Sequence, residues 1–323
     1  MLTFIVRRAL WTVVVLFAIS ALTFLIFFKT PGVDPARQMA GRNPQPAVIA
    51  QIRREFDFNK PLPVQYLVFM NHLLITRDLV SYTNRGVQVI PEIESAAPVT
   101  LSLVFGAAVI WVVFSIAIGL VAAVSRGKPL DPILMILGLI GISMPVFWLG
   151  EVVQLITQDK LHSTFVFHWL PPPGYVPITS DPVSWATHMI LPWITLSILY
   201  IGFYGRVLRS SILEVQNEDY IRTARAKGLS DKRVLFRHVL RTSMITFVSL
   251  FGLDFGALVG GGALLTEVVF ALPGVGYLTY LSISNLDLPV IMGTVVYGAF
   301  FIVLANVLVD VLYAFLDPRI RPA

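Results

Sequence analysis

Six long apolar stretches, separated by polar segments, run along the 323 residues of this chain. A helix needs about 20 apolar residues to cross the hydrocarbon core of a bilayer, and each stretch reaches that length. The pattern therefore predicts an all-α membrane protein with six transmembrane helices. The stretches cover residues 9–28, 99–124, 133–157, 185–205, 244–272 and 289–316.

The first stretch has one alternative interpretation. Arg7 and Arg8 followed by an apolar run also describe a cleavable signal peptide. The run is longer than the roughly 7–15 apolar residues of a signal peptide, and no small-x-small cleavage site closes it. We therefore interpret it as a retained membrane helix.

Lysine and arginine collect at alternate ends of the predicted spans, and such ends face the cytoplasm. The chain is then expected to be a multi-pass protein of the cell (inner or plasma) membrane, with both termini in the cytoplasm. The residues concerned are Arg7, Arg8, Arg126, Lys128, Arg206, Arg209, Arg222, Arg225, Lys227, Lys232, Arg233, Arg237, Arg241, Arg319 and Arg321.

This orientation divides the chain into four parts. Apolar residues recur at helical spacing in 46–56, and 64–75 is a second helical candidate, so the segment after the first span is expected to form a small extracellular cap. The parts are an N-terminal transmembrane helix (1–28), the cap (29–97), a five-helix core (98–317) with a cytoplasmic loop (210–243), and a cytoplasmic tail (318–323).

Composition excludes several functional classes. Only 13% of residues are charged, about half the fraction of a soluble domain, and there is no cysteine for disulfides or thiolate chemistry. The five histidines do not cluster at metal-ligand spacing, so no metal site is expected. No catalytic constellation or nucleotide-binding motif is present, and nucleic acid binding is not expected. The chain is therefore predicted not to be an enzyme.

The cytoplasmic loop contains a predicted helix, glycine turn and second helix. Asn217 is expected to cap the first helix, Gly228 to end it, and Ser230 to cap the next. Ile221 and Ala224 share with Gly228 a face of little bulk, which predicts close approach of another protein. The alternative is a basic amphipathic helix lying on anionic lipid.

The sequence Asp219-Tyr-Ile-Arg-Thr-Ala-Arg-Ala-Lys-Gly-Leu-Ser230, followed by Arg237-His-Val-Leu-Arg241, resembles a known signature. It is similar to the coupling loop of permease subunits in binding-protein-dependent ABC importers, closest to the dipeptide/oligopeptide branch with a long outer segment. Four further pieces resemble that branch in the same order. They lie at residues 31–37, 143–148, 267–276 and 310–321.

The resemblance implies a type I ABC importer permease fold and a set of partners. These are a second homologous permease, two ABC ATPase subunits and an extracellular solute-binding protein. ATP and Mg would bind the ATPases, with no cofactor in this chain, and the cargo would be di- or oligopeptides moved by alternating access. The residues implied to couple to an ATPase are Asp219, Tyr220, Arg222, Thr223, Ala224, Arg225, Lys227, Gly228 and Leu229.

The chain departs from the broader family at Arg222-Thr-Ala224, where Glu-Ala-Ala is usual, and at Arg241, where proline is usual. It departs from the peptide branch at Arg77-Asp-Leu-Val80 and at Asp254, where that branch has Gly-Asp-Leu-Gly and Gln. The first pair of departures disfavours a sugar or phosphate permease. The second pair bears on the substrate class.

The candidates for the substrate path are two carboxylates and two glycines within the predicted fifth span: Asp254, Gly260, Gly261 and Glu267. Asp254 is interpreted either as a contact for a cationic cargo group or as a structural hydrogen bond to a neighbouring helix. Glycines at four-residue spacing, which end at Gly260, favour helix packing over a gate. For Glu151, a helix–helix contact is favoured over a cargo site.

Three alternatives remain open from the residues. Related permeases carry nickel or oligosaccharides. An ion-gradient-driven secondary transporter would use Asp254 and Glu267 as proton or sodium groups, but it requires inverted repeats, and no convincing repeat is found. An intramembrane enzyme lacks its catalytic residues.

Overall fold

The computed structural model describes residues 2–29, 34–40, 44–84 and 86–316. Within these ranges the regular structure is helical, and a single antiparallel bridge joins Val80 to Gln88. The helices are α1 (Leu2–Lys29), α2 (Pro35–Met39), α3 (Pro46–Glu55), α4 (Leu62–Leu74), α5 (Val89–Val124), α6 (Leu130–Ser143), α7 (Val146–Gln154), α8 (Pro182–Val215), α9 (Asp219–Ala226), α10 (Asp231–Val234), α11 (Leu240–Ala257), α12 (Leu264–Val269), α13 (Val275–Ser284) and α14 (Leu288–Leu316).

Five described helices are long and apolar enough to cross a membrane, and a bent pair of helices brings the number to six. The all-α prediction and the count of spans are therefore confirmed. The predicted tail at 318–323 lies outside the described residues, as do the side chains of Arg7, Arg8 and Asp310.

The prediction of one continuous helix over residues 133–157 is wrong. The structure has α6 and α7 instead, and their axes differ by 96°. Pro145 disfavours helical backbone at the residue before it, and Met144 is accordingly extended, with φ −89° and ψ 126°. A π-helical turn, Leu155–Lys160, continues α7.

The prediction of one helix over residues 244–272 is also wrong. A π-helical turn, Leu258–Gly262, follows α11, and Gly261 has a φ of 105° that only glycine adopts easily. The chain then restarts as α12. Three consecutive glycines, at 260–262, weaken the helix at this point.

Helices α5 and α8 extend well beyond their apolar stretches. Helix α5 begins at Val89 rather than at residue 99, because polar side chains such as Glu92 and Glu94 end the apolar run while the backbone continues. The expected boundary between cap and core at residue 97 therefore falls inside a helix. Helix α8 reaches Val215, so the first residues of the predicted cytoplasmic loop (210–243) belong to this helix.

The central core lies between α5, α8 and α11. Trp111, Tyr204 and Phe247 are fully buried there, and the rings of Tyr204 and Phe247 lie 4.9 Å apart. Burial of large aromatic side chains is the main stabilising contribution within such a cluster.

A second apolar cluster joins the predicted cap to the bundle. Helices α3 and α4 occur where the sequence predicted them. Tyr66 and Phe69 of α4 pack with Phe24 of α1, which makes the first helix an integral part of the fold. Asp287 accepts hydrogen bonds from the Ser81 hydroxyl and, at 3.1 Å, from the Tyr82 backbone N–H, so it also ties this region to the start of α14.

Candidate functional site

The predicted coupling segment (residues 210–243) contains α9, a turn at Gly228, and α10, which leads into α11. Gly228 has a φ of 82°, so it ends α9 in the left-handed conformation expected of a glycine stop. The predicted order of helix, glycine turn and helix is confirmed.

The predicted cap of α9 is wrong. Glu218, with extended backbone, occupies the N-cap position, and its side chain makes no cap hydrogen bond. Asn217 donates instead to the Leu213 carbonyl at 2.9 Å, because α8 runs further than the apolar pattern indicates. Ser230 does hold the N-cap position of α10, again without a side-chain cap bond.

The face of α9 expected to receive another protein is turned inward. Ile221 is fully buried in the central cluster, and Ala224 packs against that cluster beside it. Ile221 is the one large aliphatic residue of this short helix, so its burial decides which face points to the bundle. The small Ala224 then allows close approach to the core of this same chain.

The opposite face of α9 is charged and exposed. Tyr220 is 43% exposed, and its hydroxyl donates to Thr242 at 3.1 Å. Asp219 and Arg222 form an exposed pair at 3.3 Å, and such a pair adds little stability. Of the predicted coupling residues, Ala224 and Leu229 are half-buried; Asp219, Tyr220, Arg222, Thr223, Arg225, Lys227 and Gly228 are exposed.

Asp254 has a partner within the chain. The Tyr204 hydroxyl donates to its Oδ2 at 2.6 Å, which joins α8 to α11 in the middle of the bundle. The ring of Tyr200 lies 6.3 Å from that of Tyr204, beside the fully buried Trp111. The structure thus provides the structural hydrogen bond that was one of the two interpretations of Asp254.

The glycines at the end of α11 and in the π-helical turn that continues it pack closely against α14. A Cβ atom added at Gly260 would lie 2.8 Å from the carbonyl oxygen of Gly298, and one added at Gly256 would lie 3.4 Å from the Ile302 Cα. The backbones of the two helices are therefore nearly in contact. This arrangement agrees with the packing interpretation of these glycines.

Glu267 is fully buried and links three helices. Its Oε1 accepts a hydrogen bond from the Thr100 hydroxyl of α5 at 2.7 Å, and its Oε2 accepts from the Tyr277 N–H at 2.8 Å. Thr100 in turn accepts from the Val275 N–H at 2.8 Å. The carboxylate thus satisfies free N–H groups at the start of α13, where the helix dipole favours negative charge.

Several residues of this arrangement were not singled out in the sequence. Thr100 and Tyr204 carry no local signal, since each partner is 50 or more positions away. The guanidinium of Arg209 holds Asp131 with two hydrogen bonds of 2.6 Å, which joins α8 to α6. For this pair, the available local signal in the sequence was the acidic residue Asp131 in the first turn of α6.

No group of three or more potential metal ligands occurs among residues 2–29, 34–40, 44–84 and 86–316. The polar side chains described above therefore form hydrogen bonds between helices and an exposed, charged face on α9.

Comparison with protein families matches residues 115–322 to "Binding-protein-dependent transport system inner membrane component". Residues 1–104 match the N-terminal model of the same type of membrane component. Together the two matches account for both the cap region and the helical core.

Similar curated proteins cover nearly the whole chain. The "Glutathione transport system permease protein GsiC" of Salmonella choleraesuis is 38% identical, over 99% of each chain. The "Probable D,D-dipeptide transport system permease protein DdpB" of Escherichia coli K12 is 36% identical, over 98% of this chain and 97% of its own. The "Probable peptide ABC transporter permease protein y4tP" of Sinorhizobium fredii is 36% identical, over 98% and 99%.

Among solved structures, the MetNI methionine ABC transporter in its inward-facing conformation has a similar chain. The TM-score is 0.52 with 15% identity, and the match covers 71% of this chain and 97% of that chain. This likeness confirms the predicted type I importer permease fold.

Proposed function

Because the chain belongs to the family of binding-protein-dependent transport system inner membrane components, it is a permease subunit of an ABC importer, and we propose that it carries peptides. The observation that supports this cargo is similarity over nearly full length to permeases named for peptides, a dipeptide and glutathione. Nickel and oligosaccharides are the competing cargoes. Membership of this family argues against the alternative of a secondary transporter driven by an ion gradient.

The proposed assembly contains this chain, a second homologous permease, two ABC ATPases and a solute-binding protein. ATP and Mg bind on the ATPases, and both termini of this chain lie in the cytoplasm. Cargo moves by alternating access, in which the ATPase cycle opens the path to one side of the membrane and then to the other.

The exposed face of α9 supports the coupling role. Asp219, Arg222 and Lys227 present charge to the outside, whereas Ile221 fixes the helix on the core of the bundle. We expect an ATPase to contact the charged face. A lipid-surface helix would instead expose large apolar side chains.

The test uses the complete importer, purified through this chain in mild detergent. We expect an ATPase to co-purify, and we expect Arg222→Glu to lower ATPase recovery because it reverses a charge on the exposed face of α9. The matched control is Lys128→Glu, the same reversal at another exposed basic position. Normal ATPase recovery with Arg222→Glu would contradict the coupling role. Uptake of a labelled peptide by the reconstituted importer separately tests the cargo.

A further inference from the structure

The break between α6 and α7 interrupts a span and is open to the surface. Ser143 and Pro145 are exposed in this chain, and Met144 between them is extended. Non-helical backbone at membrane depth occurs where protein buries it or where it lines a water-filled cavity, because lipid cannot hydrogen-bond its polar groups. This part of the surface therefore meets protein or water rather than lipid.

One face of α7 is fixed against the rest of the permease. A Cβ added at Gly150 would lie 2.9 Å from the Val269 side chain, and the Gln154 amide donates to the Val269 carbonyl at 2.7 Å. Gly150 and Gln154 are four residues apart, so they mark one side of the helix. That side of α7 packs against α12.

The adjacent, exposed side of α7 carries an isolated charge among aromatic residues. Phe147 and Trp148 are each 47% exposed. Glu151, four and three residues further on, lies on the same side and is also exposed. No hydrogen bond or ion pair holds its carboxylate within the described part of the chain. Contact of this carboxylate with lipid is strongly disfavoured.

We propose that Trp148 and Glu151 bind the cationic amino group of a peptide as it passes through the importer. This inference rests on the proposed peptide cargo and adds the residues that recognise it. Every unmodified peptide carries an α-amino group, with a usual pKa of about 7.7–8.0, that is largely protonated at neutral pH. A carboxylate pairs with such an ammonium ion, and the face of a tryptophan attracts it.

A lysine or arginine of the second permease is the competing partner for Glu151. The aromatic neighbours favour the cargo. Phe147 and Trp148 give the face an adaptable apolar surface beside the charge, which suits peptides whose side chains differ while their amino group stays the same. A fixed ion pair between subunits has no need of an exposed indole.

The experiment measures ATP-driven uptake of labelled trialanine by the complete importer in proteoliposomes. Glu151→Gln keeps the shape and removes the charge, so we expect uptake to fall about tenfold or more, the loss typical of one charged contact. Glu151→Asp should retain most of the uptake, and Trp148→Leu should lower it. The control Asp159→Asn removes another exposed charge from the same segment and should leave uptake unchanged.

Recovery of the second permease and basal ATPase activity are measured on the same preparations. Normal recovery with reduced uptake supports the inference. Loss of the second permease with Glu151→Gln would overturn it, because the carboxylate would then pair with that subunit. Unchanged uptake with Glu151→Gln would also overturn it. If the wild-type importer assembles with its ATPases but takes up no trialanine, the proposed peptide cargo itself fails, and the inference fails with it.

Discussion

Replacing Glu267 with alanine tests the role of the most buried carboxylate in the described structure. The change removes the acceptor of the Thr100 hydroxyl, at 2.7 Å, and of the Tyr277 N–H, at 2.8 Å. Both donors lie in a region without solvent access, since Glu267 itself has no exposed surface. The start of α13 would also lose the negative charge that faces its N–H groups.

The expected magnitude follows from the two lost hydrogen bonds. A buried donor left without a partner costs about 1–3 kcal/mol, so Glu267→Ala should lower the free energy of unfolding by about 2–6 kcal/mol. Each kcal/mol shifts the Tm of a large domain by roughly 2 °C, which predicts a fall of about 4–12 °C. Glu267→Gln retains one acceptor oxygen and should fall between alanine and wild type.

Thermal unfolding of the purified permease in detergent, followed by tryptophan fluorescence, measures this shift. The control is Ser284→Ala, in which an exposed hydroxyl loses a bond to a carbonyl of its own helix. We expect its Tm to stay within about 2 °C of wild type. A Glu267→Ala variant as stable as the control would refute the argument that this carboxylate holds α5, α12 and α13 together.

Three further predictions concern packing, the interior hydrogen bond and orientation. Gly260→Ala pushes the π-helical turn after α11 away from α14 and should cost about 1–3 kcal/mol in detergent unfolding. The control Gly205→Ala, whose new Cβ meets the Ile118 side chain at 3.3 Å, should cost less than 1 kcal/mol. Tyr204→Phe removes the hydroxyl that donates to Asp254 and should lower the free energy of unfolding by about 1–3 kcal/mol. An unchanged unfolding curve would show that this hydrogen bond contributes nothing to stability. Because the chain has no cysteine, Thr83→Cys should react with an impermeant thiol reagent from outside cells and Lys128→Cys should not; the reverse pattern would invert the orientation.

Apolar length was enough to predict the number of spans, because the bilayer sets it directly. It could not locate the bend between α6 and α7, since Met144 and Pro145 are themselves apolar and do not interrupt the run. The glycine-rich break around Gly261 was foreseeable because consecutive glycines weaken a helix. Its consequence, a restart as α12, depends on contacts distant in sequence.

In the candidate site, too, local features could be predicted from the sequence and contacts between distant residues could not. The local signals around α9 correctly indicated a short helix ended by Gly228. They did not determine which face is free, because that depends on where Ile221 finds a core to pack against. The role of Glu267 was similarly hidden, since Thr100 lies 167 positions away from it.

The burial of Ile221 has a mechanical consequence. A short helix held only by flexible linkers would absorb a push by swinging on them. Ile221 instead belongs to the same cluster as Leu208 of α8 and Phe247 of α11, so α9 cannot shift without displacing those side chains or opening a gap beside them. Close-packed interiors transmit such strain. A displacement of α9 would therefore pass through the contacts of Ile221 to α8 and α11, and a smaller side chain at this position would weaken that connection.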